Sequence, residues 1–373
     1  DFKPNIVGFT ATTPLLLDAN ELSKKLHIIN SDIKTILGGP HVSSLALQTM
    51  QNTDFDFACL GEGEEAMPEL LDALTNNKSL DDILGIIYRD KDGSIKGTFS
   101  KAQCNIHKIP LPSRHLLDLS KYIDTPRNIN EPQDMIFTAR GCPEECAFCI
   151  SADERLRIRY TDDVLKEFDQ VINEYGTKFL IIGDDTFTQH KRKTIELCKA
   201  IVDRQYNIRY ICQTRLDRVD PEILEWLVKS GCYAVCFGIE SGSDRVLKSM
   251  KKHNDLVKIR QNVPLIKSFG FNMRATYIIG WIDETEEEIE ATIRLAEDID
   301  ADENAFCIAT PYPGTELWNE AVRRGMNTNF DELSKFHYYK EIGFNMSKVS
   351  DERLLELQQI AFKRAPSRIY KVQ

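Results

Sequence analysis

A chain of 373 residues with 42% hydrophobic and 28% charged residues has the composition of a globular protein of two or three domains. No apolar run reaches the ~20 residues that span a bilayer, and a formal net charge of −11 argues against nucleic acid as a partner, because phosphate binding requires concentrated Lys and Arg. The ten cysteines form no disulfide framework and nothing at the N-terminus resembles a signal peptide, so the sequence predicts a protein of the reducing cytoplasm.

The first hundred residues contain three short apolar segments that each end in a turn and lead into a helical segment. The turns are residues 10–14, which are rich in threonine, Gly38-Gly39-Pro40-His41-Val42, and Gly61-Glu62-Gly63-Glu64. Three such units in succession predict a doubly wound sheet, whose ligand binds outside the carboxyl ends of the strands. Glycine at those ends lets the backbone approach a large flat ligand closely. One Gly-x-Gly is weak evidence, so a plain nucleotide-binding fold explains this segment equally well by itself.

Residues 109–133 separate this region from the rest of the chain, and prolines at 110 and 112 lie near the start of this segment. A proline disfavours helix in the residue before it. We therefore expect an extended linker between two domains.

Three cysteines, Cys142, Cys146 and Cys149, follow the linker at the spacing Cys-x3-Cys-x2-Cys. Thiolates are the usual protein ligands of iron-sulfur clusters, and three of them leave one iron of a four-iron cluster open. A zinc site would need a fourth ligand close by, and the histidines nearest in sequence, His115 and His190, are distant. The spacing alone therefore favours an iron-sulfur cluster over zinc.

From the cysteines onward, short β-rich segments alternate with longer amphipathic segments. The pattern predicts strands at 135–139, 179–183, 208–213, 234–239, 275–280 and 305–309, and helices at 162–174, 192–203, 221–229, 256–268 and 284–298. Six strands with five intervening helices predict a parallel α/β array. Polar residues follow the strands at the carboxyl ends, where parallel barrels place their chemistry.

After residue 310 the alternation stops, and 316–324 and 351–364 predict amphipathic helices. We expect residues 311–373 to form a helical cap over the barrel. In this tail His337, Tyr338 and Tyr339 form a polar aromatic group, for which packing is favoured over a pocket lining.

Together these motifs resemble one enzyme family. The cysteine motif, with Phe148 before its third cysteine, resembles the radical S-adenosylmethionine (SAM) enzymes, and the three preceding turns in this order resemble the cobalamin-binding domain that precedes the radical SAM core in some of them. The resemblance implies an α/β protein with a doubly wound cobalamin domain at 1–108, the linker at 109–133, a partial (βα)6 TIM-type barrel at 134–310 and the cap at 311–373. The chain begins at Asp1 directly before a strand, where such domains have a further strand-helix unit or two, so we expect the cobalamin domain to be incomplete.

The resemblance also implies a set of SAM contacts at the strand ends. Cys142, Cys146 and Cys149 would bind a [4Fe-4S] cluster. Gly183, Asp184 and Asp185 would lie near the SAM amine, Arg215 near its carboxylate, Glu240 and Ser241 near its ribose, and Phe148 and Ile279 beside its adenine. Taken one at a time, Asp184 and Asp185 as helix N-caps, or Arg215 in a surface ion pair, explain these residues equally well.

For cobalamin, the resemblance implies contacts from the three turns. These residues are Thr10, Thr12, Thr13, Gly38, Gly39, Pro40, His41, Val42, Gly61, Glu62, Gly63 and Glu64. The Asp-x-His-x-x-Gly signature that supplies a cobalt-binding histidine in other cobalamin proteins is absent from the sequence. A role for His41 in capping or packing is therefore as well supported as an approach to the ring.

The implied activity is reductive cleavage of SAM to a 5'-deoxyadenosyl radical by a cytoplasmic, cobalamin-dependent enzyme. We expect methyl transfer to an unactivated carbon of a small-molecule substrate, with electrons from a donor such as flavodoxin or ferredoxin, and neither nucleic acid nor a membrane span. One alternative is an oxidative cyclase of the magnesium-protoporphyrin monomethyl ester type, and another is a non-catalytic cobalamin and iron-sulfur sensor. A methylthiotransferase would need a second set of cluster cysteines, and only Cys59 and Cys104 precede the triplet.

Overall fold

The computed structural model describes residues 3–122, 132–337, 339 and 341–368. The chain divides into two compact units, Asp1–Ile109 with Thr310–Phe344 and Pro110–Ala309 with Asn345–Gln373. Residues 123–131 of the predicted linker, and Tyr338 of the aromatic group, lie outside the described residues. In the part of the chain that is described, no helix is long and apolar enough to cross a membrane.

The first unit contains a five-stranded sheet. Its strands, in order across the sheet, are β1 (Ile6–Thr10), β2 (Lys34–Gly38), β3 (Phe57–Cys59), β4 (Ile86–Arg89) and β5 (Ile95–Gly97). The first three are parallel, as predicted, whereas β4 and β5 add an antiparallel hairpin that the sequence analysis did not assign. The helices are α1 (Leu16–Ile29), α2 (Pro40–Ser44), α3 (Ala46–Asn52) and α4 (Gly63–Asn76).

Both faces of this sheet are covered. Successive side chains of a strand point to opposite faces, and the neighbours Ile36 and Leu37 are both buried, each in a different hydrophobic cluster. Leu37 packs with Leu16 of α1, and Ile36 packs with Leu70 of α4. The first unit is therefore doubly wound, as the three strand-turn-helix units predict.

The second unit contains a six-stranded parallel sheet and a separate antiparallel pair of strands. The strands of the sheet are β6 (Gln133–Ile136), β9 (Phe179–Ile182), β10 (Arg209–Thr214), β11 (Cys232–Glu240), β12 (Asn272–Ile279) and β13 (Glu303–Ile308), and the pair is β7 (Ala139–Arg140) and β8 (Arg157–Ile158). The strand order in the sheet is β13-β12-β11-β10-β9-β6. Between them lie α5 (Thr161–Asn173), α6 (Lys191–Asp203), α7 (Pro221–Lys229), α8 (Asp244–Ser249), α9 (Leu256–Ser268) and α10 (Glu286–Ile299). The six predicted strands are present, and neighbours in the sheet are neighbours along the chain, as in a partial barrel.

The two faces of this sheet differ in burial. In β12 the side chains of Met273, Ala275, Tyr277 and Ile279 are fully buried, while the alternate residues are only partly buried. Because side chains alternate along a strand, one face is covered and the other is open. We call the open side the inner face.

The C-terminal tail divides between the units and does not form the single cap expected for 311–373. The segment with α11 (Glu316–Arg323) belongs to the first unit, where Phe330 packs against the cluster around Leu16 and Gln48 Nε2 donates to the Thr328 carbonyl at 3.0 Å. The last helix, α12 (Asp351–Arg364), belongs to the second unit and packs on β13 and α10. In the aromatic group of this tail, the His337 and Tyr339 side chains are both exposed.

Candidate functional site

The three cysteines lie in a loop between β7 and β8 that folds back on itself. It begins at Gly141, whose φ of +86° favours glycine. Glu154 N donates to the Cys142 carbonyl at 2.9 Å, and Ala147 N donates to the Met250 carbonyl at 3.0 Å. Backbone hydrogen bonds thus hold the loop against itself and against the end of α8.

Burial controls the chemistry of these thiols. Cys142 and Cys146 are each 8% exposed and Cys149 is half-buried. Burial raises the pKa of Cys149 to about 11 and also raises the pKa of Cys146, because an isolated thiolate is poorly solvated there. A bound metal group deprotonates coordinating thiols, so metal binding at these cysteines would release protons.

The cysteine loop supplies three thiolates and no fourth Cys or His between residues 141 and 156. A structural zinc site takes four ligands, whereas three thiolates leave one iron of a four-iron cluster open. The ligand types in this loop therefore fit an iron-sulfur cluster better than zinc.

A buried charge network surrounds the cysteine loop. Glu144, between the first two cysteines, lies 3.0 Å from Arg215 Nη1 and accepts from Arg218 Nη2 at 2.8 Å and from Gln189 Nε2 at 3.1 Å. Arg215 also donates from Nε and Nη2 to Asp217 at 2.9 and 2.8 Å. Arg215 is 5% exposed and contacts two carboxylates, so the interpretation of Arg215 as part of a surface ion pair is wrong.

The two aspartates after β9 occupy different environments. Asp184 is 2% exposed and accepts from the backbone N–H groups of Thr138 and Ala139 at 2.6 and 3.1 Å, so it ties the end of β9 to the end of β6. Burial raises its pKa to about 6, against the opposing effect of these hydrogen bonds. Asp185 is exposed and accepts from Ser151 Oγ of the cysteine loop at 3.3 Å. Neither residue caps the next helix, whose N-cap is His190, so the N-cap interpretation is wrong.

Glu240 forms a buried ion pair that the sequence analysis missed. Its carboxylate accepts from Lys252 Nζ at 2.8 Å, and the side chains of Glu240 and Lys252 are 7% and 9% exposed. The Glu240 φ is +70° and the strand register shifts there, a conformation typical of functional sites. A Cβ on Gly238 would lie 2.1 Å from the Glu240 carboxylate and 2.7 Å from Lys252 Nζ, so glycine makes room for the pair. In the sequence Lys252 follows several polar residues, a pattern that predicts an exposed side chain, so the pattern did not indicate its buried ion pair.

Apolar side chains complete this region. Lys252 Nζ lies 5.9 Å from the centroid of the Phe148 ring, which packs edge to face on Trp281 at 6.2 Å. Ile279, by contrast, is fully buried on the covered face of β12. The structure therefore brings Phe148 together with Trp281, and Ile279 does not lie on the inner face.

Ser241 also points away from the open face. It is fully buried, its Oγ lies 3.2 Å from Thr292 Oγ1 of α10, and it accepts from Ser243 N at 3.1 Å. Its hydroxyl is occupied in joining β11 to α10.

In the first unit the three predicted turns meet at the carboxyl ends of β1, β2 and β3. Ala11 N donates to the Gly38 carbonyl at 3.2 Å, and Gly61 N donates to Ser43 Oγ at 2.9 Å. A Cβ on Gly39, whose φ is +101°, would lie 2.8 Å from the Ala11 carbonyl oxygen. Only glycine permits this close approach of the first two turns.

The side chains of the three turns are partly exposed and partly committed. Thr10, Thr12, Pro40 and Gly61 are exposed, Gly38, Gly39, Gly63 and Glu64 are half-buried, and Thr13, His41 and Val42 are buried. Glu62 points towards Cys104. Its carboxylate accepts a hydrogen bond from the Cys104 backbone N at 2.8 Å and another from the Cys104 Sγ at 2.9 Å.

His41 is a buried, neutral imidazole. It is 1% exposed, its Nδ1 lies 3.1 Å from Thr13 Oγ1, and Phe330 packs edge to face on its ring at 6.1 Å. Burial lowers its pKa to about 4, and its Nε2 has no hydrogen-bond partner. Because Gly39 is the N-cap of α2, packing rather than capping describes His41.

Comparisons with known proteins match both units. Residues 136–296 match the Radical SAM superfamily, and residues 1–71 match the B12 binding domain. A protein of Pyrococcus horikoshii described as an uncharacterized methyltransferase is 34% identical over 99% of this chain and 81% of its own length. The anaerobic magnesium-protoporphyrin IX monomethyl ester cyclase of Rubrivivax gelatinosus is 29% identical over 85% of this chain and 58% of its own length.

A solved structure shares the fold. The radical SAM methyltransferase TsrM of Kitasatospora setae, with cobalamin and a [4Fe-4S] cluster bound, superposes with a TM-score of 0.71 at 17% identity, over 87% of this chain and 65% of that protein. At this identity the likeness establishes the fold alone.

Proposed function

The chain belongs to the cobalamin-dependent radical SAM enzymes, and we propose that it transfers a methyl group to an unactivated carbon of a small molecule. The family implies a [4Fe-4S] cluster, SAM and cobalamin. The observation that carries the proposal is the 34% identity, over nearly the whole chain, to a protein described as a methyltransferase.

The cluster would be held by Cys142, Cys146 and Cys149, whose burial and position in one backbone-bonded loop fit it. When bound, the cluster and SAM together supply a 5'-deoxyadenosyl radical, and cobalamin supplies the methyl carrier. The loop's own contribution is rigidity, because Glu144 is fixed by Arg215, Arg218 and Gln189.

SAM would be positioned by the groups beside this loop that remain available. Asp185 is the better partner for the SAM ammonium, since Asp184 is occupied by backbone N–H groups. Glu240 would accept from the ribose hydroxyls, and Lys252 would then be released to balance the SAM carboxylate. The Phe148 and Trp281 rings would form the apolar wall for the adenine.

Cobalamin would lie against the carboxyl ends of β1, β2 and β3. Thr10 and Thr12 offer exposed hydroxyls there, and Gly39 and Gly61 expose backbone to a flat ligand. His41 would remain a packing residue, because its pKa of about 4 and its burial keep it neutral and covered.

Oxidative cyclisation is the second candidate. It is favoured by the 29% identity to the cyclase of Rubrivivax gelatinosus over 85% of this chain. The two reactions differ in whether SAM also donates its methyl group.

The test is anaerobic reconstitution with iron, sulfide and hydroxocobalamin, followed by reduction with flavodoxin or ferredoxin in the presence of SAM. Mass spectrometry then quantifies 5'-deoxyadenosine and S-adenosylhomocysteine. Both products, the second only with cobalamin present, support the methyltransferase, whereas 5'-deoxyadenosine alone supports the cyclase. If the native chain forms neither product and so behaves like Cys146→Ala, both the methyltransferase and the cyclase are overturned, and a sensor is favoured. Cys198→Ala, a change of a cysteine on α6 away from the inner face, serves as the matched control.

A further inference from the structure

Four polar side chains lie next to one another across the sheet of the second unit. Gln213 of β10 pairs with Cys236 of β11, Cys236 pairs with Arg274 of β12, and Arg274 pairs with Glu303 of β13. All four belong to the inner face, and each is exposed or half-buried. Because neighbouring strands are ~4.8 Å apart, these residues span about 14 Å of the sheet. We call them the inner-face row.

The inner-face row lies below the candidate SAM site on the same face. Gly238 is two residues beyond Cys236, and Thr276, its partner on β12, is two residues beyond Arg274. Two residues of strand advance about 7 Å. The row is therefore one layer of side chains deeper than Gly238, which adjoins the Glu240 and Lys252 ion pair.

Arg274 is incompletely satisfied in this row. Its Nε lies 3.3 Å from Glu303 Oε1, yet this nitrogen is buried and makes no hydrogen bond. The Arg274 side chain is 33% exposed, whereas that of Glu303 is 14% exposed. A guanidinium has five N–H donors arranged as a fork that matches the oxygens of a carboxylate or phosphate.

A purely structural role for this pair is a poor explanation. Partly buried ion pairs contribute little stability relative to apolar residues of similar size. A buried charge with a structural role elsewhere in this unit is hydrogen-bonded, since Asp184 accepts from two backbone N–H groups. Arg274 differs from that arrangement, because its Nε makes no hydrogen bond to the nearby Glu303 and its side chain is one-third exposed.

We propose that Arg274 binds an oxyanion of the methyl-acceptor substrate, a carboxylate or a phosphonate-type group. Glu303, adjacent to it, disfavours a bare anion and favours a substrate with an ammonium or hydroxyl donor a few bonds away. Gln213 offers an amide on the other side of Cys236. The substrate class is therefore a small molecule that carries an oxyanion and a neighbouring hydrogen-bond donor. This assignment rests on the proposed function only in placing the acceptor on the inner face.

The Cys236 thiol provides a readout that is independent of turnover. It is half-buried and pairs directly with Arg274 across the sheet. We expect iodoacetamide to label it slowly in the reconstituted chain, because burial raises the pKa of Cys236 to about 11 and the thiolate is the reactive form. Peptide mass spectrometry follows its labelling rate separately from those of the other cysteines. The probes are serine, 2-aminoethylphosphonate, propionate and ethylamine at equal concentration.

We expect serine or 2-aminoethylphosphonate to slow Cys236 labelling at least threefold, and propionate and ethylamine to slow it less. Stronger protection by serine would assign a carboxylate, and stronger protection by 2-aminoethylphosphonate a tetrahedral oxyanion. In Arg274→Gln the protection is lost, and in Arg274→Lys it is weakened but present. Arg260→Gln, which removes an exposed arginine of α9 that lies 3.9 Å from Asp298, retains it.

Equal labelling with and without all four probes, or protection that persists in Arg274→Gln, would overturn the assignment. The melting temperature of each variant shows whether it is folded. Because no turnover is measured, this result is separate from the assay of 5'-deoxyadenosine. A chain that cleaves SAM yet shows no protection contradicts only the substrate class.

Discussion

Replacing Lys252 with methionine tests whether its ion pair with Glu240 organises the candidate SAM site. The two side chains are 9% and 7% exposed and their charged atoms are 2.8 Å apart. Methionine has a similar length and no charge, so the Glu240 carboxylate would be left buried without its cation. Removing one partner of a buried pair typically destabilises a protein by about 3–5 kcal/mol, because the remaining charge is uncompensated.

For a unit of this size, 1 kcal/mol corresponds to roughly 2–4 °C in melting temperature. Lys252→Met should therefore lower the melting temperature by about 10 °C, as followed by circular dichroism. The double variant Glu240→Gln with Lys252→Met should recover most of the loss, because it removes both charges. Lys248→Met is the matched control, since Lys248 is an exposed residue of the preceding helix.

SAM binding gives the second measurement for the same variants. Equilibrium dialysis with the reconstituted double variant should show weakened binding even where stability has recovered. A neutral amide oxygen is a weaker acceptor for the ribose hydroxyls than a carboxylate, and the cation for the SAM carboxylate is removed. If Lys252→Met has the same melting temperature as the native chain, the ion pair does not stabilise the fold. If the double variant binds SAM as tightly as the native chain, the pair is not part of the site.

Three further predictions concern the cluster, the first unit and pH. Cys146→Ala should abolish the absorbance near ~400 nm of the reconstituted chain, and an unchanged spectrum would contradict the cluster assignment. Gly39→Ala places a Cβ 2.8 Å from a backbone oxygen at a φ of +101°, so it should weaken hydroxocobalamin binding in an absorbance titration, while Gly93→Ala, at a φ of +84° with nothing within 4 Å, should not. Burial raises the pKa of Glu284 to about 7 from 4.5, so the folded chain holds this proton more tightly than the unfolded chain. The protonated Glu284 therefore stabilises the folded chain below pH 4.5, and this contribution to the free energy of unfolding falls by about 3 kcal/mol as pH rises to 7. In Glu284→Gln the denaturation midpoint should depend less on pH over that range.

Sequence patterns predicted the parallel elements of both units because those elements are long or strictly repeated. The hairpin of β4 and β5 was missed, although Asp92-Gly93 between two β-rich segments is a hairpin signal. The division of the C-terminal tail was not predictable from periodicity. An amphipathic helix shows that it has an apolar face, but not which domain covers that face.

Which polar residue at a strand end faces the ligand was also beyond the sequence. A shift of one residue moves a side chain to the opposite face of a sheet, and β11 contains such an irregularity between Gly238 and Glu240. It places Glu240 against Lys252, while the next residue, Ser241, is buried against α10. The two residues are equally polar in sequence, and only the irregularity separates their roles.

The strand ends of a parallel barrel must also hold one another, and they do so with the same residue types that bind ligands. Asp184 binds the backbone at the end of β6, and Glu144 binds Arg215 at the end of β10. These two acids therefore set the position of the cysteine loop, whereas Asp185 remains exposed beside it. It follows that substitutions within this cluster of charges should separate into two groups. Changes at Asp184 or Glu144 should lower stability and cluster retention together, and a change at Asp185 should weaken SAM binding while stability is retained.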